Sequence, residues 1–172
     1  MRHWGWGRND ETWGECPTLT AAYAKAIVRG LQGTSPPTSS WSWSSPSSSL
    51  SSAMLSAATT RSGTNNSNKY VAVTAGCKHF GVGSGPDSIP VDRRFFDANV
   101  SLRDWATTFL PAFQACVQAG ALGVMCSFNA VRGVPACASH RGMTTWLRDE
   151  WNYEGYTVSD QGAAYGIYSD HK

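Results

Sequence analysis

The sequence predicts an α/β fold in which parallel strands alternate with helices, a partial (β/α)8 TIM-barrel-like domain. Three observations carry that expectation. Short apolar β-type runs at 70–75, 122–128 and 156–158 are separated by segments with helical spacing of apolar residues. Polar residues gather where each run ends: Lys78-His79, Ser127-Phe128-Asn129 and Asp160. Roughly 140 residues lie outside one low-complexity stretch, about half of the ~250 that a complete barrel takes.

Composition sets the outer bounds. With 172 residues, 41% hydrophobic, 15% charged and eight Trp, the chain can bury a core of about one domain. A net charge of +2 with scattered arginines forms no basic block, so neither nucleic acid nor an anionic membrane is expected as a partner. No apolar run approaches the ~20 residues of a membrane span, and Met1-Arg2-His3-Trp4-Gly5 lacks the apolar core of a signal peptide.

Taken in order, the elements read as follows. Leu19, Tyr23, Ile27 and Leu31 recur at helical spacing, predicting a helix over 18–33 that stops at Gly33 and Pro36-Pro37. From Thr34 to Asn68 there is no acidic residue and one basic one, Arg61, in a Ser-rich run expected to be disordered, or else a mucin-like linker. The chain thus divides into a barrel segment at 1–33, an insertion at 34–68 and a second barrel segment at 69–172. Residues 70–75 read as a buried strand leading into Gly76-Cys77-Lys78-His79-Phe80. Ser101 and Asp104 resemble a capping box opening a helix with Leu102, Trp105, Phe109, Phe113 and Val117 on its apolar face, kinked at Pro111 and ended by Gly120. Ser139 caps a helix carrying Met143, Trp146 and Leu147, and Tyr156-Thr157-Val158 forms the third strand.

In a parallel barrel the strand ends converge on one face, so Lys78, His79 and Asp160 would share a pocket. There, Lys78 and His79 can hydrogen-bond adjacent hydroxyls of a sugar while the Asp160 carboxylate attacks the anomeric carbon. Each residue also has a plainer reading: Lys78 as a solvated turn residue, His79 as a core histidine, Asp160 as a turn or helix cap. Of the five cysteines, none forms a CxxC pair, which argues against zinc. Cys126 and Cys137 bracket a Gly/Pro-containing loop, as either a disulfide or two buried thiols. A Ser hydrolase centred on Ser159 lacks the G-x-S-x-G elbow, and Gly81-Val82-Gly83-Ser84-Gly85 lacks the Gly-Lys of a phosphate loop.

Several ordered motifs resemble a known family. Trp6-Gly7-Arg8, Glu11-Thr12-Trp13-Gly14-Glu15 and Val28-Arg29-Gly30-Leu31-Gln32-Gly33 are similar to the opening motifs of the N-terminal domain of glycoside hydrolase family 3. Cys77-Lys78-His79-Phe80, Arg93 and Phe96-Asp97-Ala98-Asn99-Val100-Ser101 resemble its Lys-His segment. Val124-Met125-Cys126-Ser127-Phe128-Asn129, Gly133-Val134-Pro135-Ala136-Cys137 and Val158-Ser159-Asp160 resemble the segment leading to its nucleophile. The Cys-containing run and the Val-Arg-Gly-Leu-Gln-Gly form look most like the β-xylosidase and α-L-arabinofuranosidase branch.

The resemblance implies a retaining exo-β-glycosidase, acting on terminal β-1,4-xylosides of xylan or on glucosides, with Asp160 as nucleophile. It implies that Arg8, Lys78, His79 and Arg93 hold the terminal sugar, with Phe128 beside them. It implies no cofactor or metal, a glycoside or oligosaccharide partner, and an extracellular or secretory location. Retention needs a second carboxyl group about 5–5.5 Å from the first. By the resemblance, the general acid lies in a later domain beyond Lys172 and the early strands before Met1, so this chain alone is expected to be inactive. Two positions depart from the family pattern: Phe128 stands where Tyr is usual, and Cys16 where Asp is usual. The competing expectation is a non-catalytic sugar binder in which exposed Trp4, Trp6, Trp41 and Trp43 stack on sugar rings.

Overall fold

A computed structural model describes residues 6–34 and 70–171. Most of the Ser-rich insertion, together with Trp4, Trp41 and Trp43, lies outside the described residues.

Helix α1, Pro17–Gln32, begins with Pro in its first turn, where a missing N–H costs nothing, and closes on Gly33 at φ 70°. Strand β1 is Gly76–Phe80, β3 is Gly123–Cys126 and β6 is Tyr156–Ser159. They form one parallel sheet in the order β1-β3-β6, with Gly76 opposite Gly123 and Gly123 opposite Tyr156. Between β1 and β3 the chain forms α2, Leu102–Asp104, a π-wound turn at Trp105–Phe109, and α3, Leu110–Gln118. Between β3 and β6 it forms a π-helix at His140–Glu150, and α4, Ala163–Ser169, follows β6. Parallel strands joined through helices are the repeating unit of an α/β barrel, and the chain is part of one. A second sheet, not foreseen in the sequence, joins β2 (Asp97–Ala98), β4 (Ala130–Val131) and β5 (Val134–Pro135).

The main core gathers Phe80, Val82, Trp105, Leu110, Val124, Leu147 and Tyr153, all buried. Phe80 meets Phe113 and Trp151 edge-on at 5.1 and 6.0 Å, and Trp105 meets Trp146 at 4.6 Å. Such edge-to-face pairs contribute about 0.5–1.5 kcal/mol each beyond the area they bury. A second cluster packs Ala24 and Val28 of α1 against Cys116 and Ala119 at the end of α3. Cys77 is bonded there to Cys116, tying β1 to α3.

Several local expectations are corrected. The first strand begins at Gly76, and residues 70–75 approach it as an irregular segment with Tyr70 and Val73 exposed. Its start is set by buried Gln32, whose Oε1 accepts from Ala75 N (3.1 Å) and Leu122 N (3.2 Å) while its Nε2 donates to Gly120 O (2.8 Å). That fixes Ala75 beside Leu122, and the ladder runs from the next residue.

The apolar stripe of α1 is half-exposed, with Leu19 48% and Leu31 51% exposed and Ile27 and Leu31 lining a large cavity, whereas Ala24, Val28 and Gln32 are buried. Small residues allow the close approach to α3 that Leu and Tyr would block. Just ahead of Pro111 the helix opens into a wide turn, with Leu110 N–H reaching Trp105 O. The extra residue in that turn accommodates the proline ring, which an α-helical turn would drive against the carbonyl of Thr107. The capping box is also incomplete. Ser101 Oγ accepts from Asp104 N (3.0 Å), but the Asp104 carboxylate meets the Ser101 hydroxyl rather than its backbone N–H. Trp6, which the sugar-binder reading needs exposed, is 9% exposed.

Candidate active site

Asp160 sits immediately after β6, at the carboxyl end of the sheet. Its N–H donates to Cys126 O (3.1 Å), extending the β3–β6 ladder by one residue, and its Oδ1 accepts from Gln161 N (2.8 Å). The strand behind it is held from the other end. Arg148 donates to Tyr153 O and Gly155 O, both at 2.7 Å, and the Tyr153 hydroxyl donates to Tyr156 O (2.8 Å). Burial pushes the Tyr153 hydroxyl up to about 12, so it stays a donor.

Lys78 and His79 lie within β1 rather than after it. Lys78 opposes Met125 and Phe80 opposes Cys126, so His79 is the extra residue of a bulge; the Lys78–His79 peptide is cis. In a regular strand, neighbours face opposite sides. The bulge lets both reach the same cluster.

That cluster is a chain of contacts. Lys78 Nζ lies 2.9 Å from Glu11 Oε2, and Arg8 donates to Glu11 through Nε (2.6 Å) and Nη2 (3.0 Å). The same Arg8 Nη2 lies 3.2 Å from His79 Nε2, which lies 3.3 Å from Asp160 Oδ2. Arg8 and Glu11 come from a short 3-10 turn at Asn9–Glu11, anchored by Asn9 donating to Trp6 O. Burial, reinforced by Arg8 and Lys78, lowers the His79 imidazole to about 4 against the opposing pull of Asp160. The hydrogen bond from Arg8, then that from Lys78, lowers Glu11 to about 2.

Arg93 enters from a loop, ion-paired with Asp87 (3.3 Å) and with its guanidinium 5.7 Å from the Phe128 ring centroid. Trp6, Arg8, His79, Arg93, Phe128, Asn129 and Asp160 line one small cleft of about 10 Å³. Gly81, at φ 133°, closes tightly over its floor, where a Cβ would collide with Ser127 Oγ. Directly beneath, Cys126 is bonded to Cys137, whose loop follows the Asn129 turn.

A larger cavity of about 330 Å³, mostly apolar, lies between α1, β1 and α3 with Glu11, Lys78 and His79 at its polar end. Asp160 does not line it; Asp160 lines the smaller cleft.

Of the residues singled out in the sequence, Arg8, His79, Arg93, Phe128 and Asp160 therefore line one cleft, and Lys78 joins them through Glu11. Glu11 was given no role in the sequence reading. Its signals were its place in the Glu11-Thr12-Trp13-Gly14-Glu15 motif and a position three residues after Arg8 on a tight turn, where two such side chains can meet. The Cys77–Cys116 bond was likewise missed, because its partners stand 39 residues apart with no motif between them. Among the described residues, no group of three or more His, Cys, Asp or Glu side chains is placed to hold a metal ion.

An aspartate at the tip of a parallel barrel strand, with a histidine and cationic donors beside it, is a cluster at the strand end where α/β barrels place their active sites. Residues 2–172 match the model of the "Glycosyl hydrolase family 3 N terminal domain", and the chain belongs to that family. It is 35% identical over 164 residues to "Probable beta-D-xylosidase 7" of Arabidopsis thaliana, covering 95% of this chain and 18% of that protein. It is 34% identical over 166 residues to "Beta-xylosidase/alpha-L-arabinofuranosidase 1" of Medicago sativa subsp. varia, covering 96% and 18%.

Among solved structures it resembles a family 3 exo-β-xylosidase in complex with a xylobiose aziridine probe, with TM-score 0.75, 27% identity, and coverage of 98% of this chain and 18% of that one. A β-glucosidase from Listeria innocua matches with TM-score 0.70 and 28% identity, covering 99% and 19%. The chain thus spans about 18% of the length of the curated relatives it matches.

Proposed function

We propose that this chain carries the nucleophile half of a retaining exo-β-glycosidase site, acting on terminal β-1,4-linked xylosides. Asp160 attacks the anomeric carbon, and Arg8, Lys78, His79 and Arg93 hold the terminal sugar, with Phe128 forming part of the wall. The observation that carries this reading is the placement of Asp160. It is a largely buried carboxylate on a rigid strand end, with a neutral imidazole at 3.3 Å and the Arg8 guanidinium against that imidazole. Around that carboxylate, several N–H groups offer partners for sugar hydroxyls.

The sugar preference rests on relatives that are named xylosidases; the likeness to a β-glucosidase supports glucose as the second reading. Two disulfides favour an oxidising, extracellular or secretory location.

We also propose that these 172 residues alone are a poor catalyst. Retaining hydrolysis needs a carboxylic acid as well as a carboxylate. The carboxyl groups that join this cluster, Glu11 and Asp87, are each bound to an arginine, and Glu11 at about 2 holds no proton to give at neutral pH.

Labelling with a 2-fluoro-β-xylosyl fluoride tests the assignment in the protein at whatever length its gene encodes. A covalent xylosyl adduct mapped by mass spectrometry to Asp160 is expected. An adduct on another residue, or turnover without one, sinks the assignment; xylo-oligosaccharide binding without any adduct or turnover supports a sugar-binding relic instead.

A further inference from the structure

The geometry points to Glu11 as a positioning residue that sets where the Arg8 guanidinium and the Lys78 ammonium stand, without touching the sugar itself. The inference rests on the sugar-binding role proposed above for those two cations. Arg8 and Lys78 come from separate parts of the chain, a 3-10 turn and a bulged strand, and both carry long side chains with many rotamers. Like charges repel. They are nevertheless drawn to one carboxylate: Oε1 takes Arg8 Nε at 2.6 Å, and Oε2 takes Arg8 Nη2 at 3.0 Å and Lys78 Nζ at 2.9 Å.

The two-pronged grip fixes the guanidinium plane, which a single contact would leave free to swing. The fixed plane places Nη2 against His79 Nε2 at 3.2 Å. Glu11 therefore acts on two proposed sugar contacts directly and on a third, His79, through Arg8. Among the described residues, Glu11 is the carboxylate that pairs with Lys78, so the place of the ammonium depends on it. One carboxylate thus joins Lys78 in series to two residues of the cleft, Arg8 and His79.

Two variants test this, Glu11→Gln and Glu11→Asp, the second keeping the charge but too short for both cations. The first readout is the rate of Lys78 acylation by limiting sulfo-N-hydroxysuccinimide acetate, followed by peptide mass spectrometry at constant pH. Loss of a part-exposed ion pair should raise that rate about two- to fivefold in both variants. The second is the His79 Cε1–H titration by NMR, which should move to lower pH in Glu11→Gln, because Glu11 favours the protonated ring. The third is xylobiose affinity by calorimetry, expected to weaken on the order of tenfold as two donors lose their orientation. If the parent protein binds no xylobiose, the functional reading fails, while Lys78 acylation and the His79 titration still decide the role of Glu11. Unchanged Lys78 acylation in both variants overturns the inference, and so does failure of both to fold, which would make Glu11 a residue of the fold alone.

Discussion

His79 Nε2 stands 3.3 Å from Asp160 Oδ2 and 3.2 Å from Arg8 Nη2, so one ring nitrogen faces an acceptor and a donor at once. A neutral imidazole satisfies only one of them: protonated at Nε2 it donates to Asp160, and bare there it accepts from Arg8. A hydroxyl, which donates and accepts, would relieve the conflict.

The lowered His79 affinity for protons has a consequence for stability. Unfolded, the ring takes up a proton near its ordinary 6.5, whereas folded it does so only near 4. Between those values the unfolded chain binds more protons, so stability is full above 6.5 and falls as the pH drops towards 4. Glu11 adds a separate loss lower down, because its carboxylate, at about 2 against an ordinary 4.5, contributes stability that is present above 4.5 and fades towards 2. Urea midpoints from pH 7 to pH 3 should show both declines. His79→Gln should flatten the upper one, and a variant that keeps it would refute this origin.

Asp160→Asn should abolish turnover of aryl β-xylosides, which carry a good leaving group, whereas His79→Gln should leave residual activity. Asp160→Asn removes the attacking group itself, whereas His79→Gln removes one contact to the sugar and leaves the nucleophile in place. Comparing kcat/KM of the two variants checks this, and equal losses would count against Asp160 as the attacking group.

Phe128→Tyr restores a phenolic hydroxyl in the cleft beside Arg93 and Asp160. One added hydrogen bond is worth about 0.5–1.5 kcal/mol, so kcat/KM for the preferred glycoside should rise about two- to tenfold with little change in Tm. A lower rate would mean that the ring position has been rebuilt around Phe.

Cys16 occupies the N-cap of α1, where its thiol accepts from Leu19 N at a long 3.5 Å. A carboxylate there is a stronger acceptor and complements the helix dipole. Cys16→Asp should therefore stabilise the protein by about 0.5–1.5 kcal/mol above pH 5, read as a shift in the urea midpoint.

Replacing Cys77 and Cys116 together by Ala should cost about 3–4 kcal/mol, since the bond closes a loop of 39 residues between β1 and α3. The same change at Cys126 and Cys137, 11 residues apart, should cost less. Urea unfolding of both double variants under oxidising conditions gives the comparison; the reverse order would place the main restraint in the Asn129 loop.

What the sequence determined by itself is what depends on residues close together in the chain. The helical spacing around Phe113, the apolar runs ending at Cys126 and Asp160, and the ordered family motifs all declared themselves locally, and with them the α/β class and the residues of the cleft. The tertiary structure decided whatever depends on which neighbour arrives. Leu19 and Leu31 carry the stronger hydrophobic signal, yet Ala24 and Val28 are buried, because α3 packs closely only against small side chains. Lys78 and His79 share a cluster because β1 bulges against β3, and a bulge is a property of the pairing rather than of either strand. Glu11 acquired its place for the same reason, since its worth lies in Lys78 arriving from a strand 67 residues further along the chain.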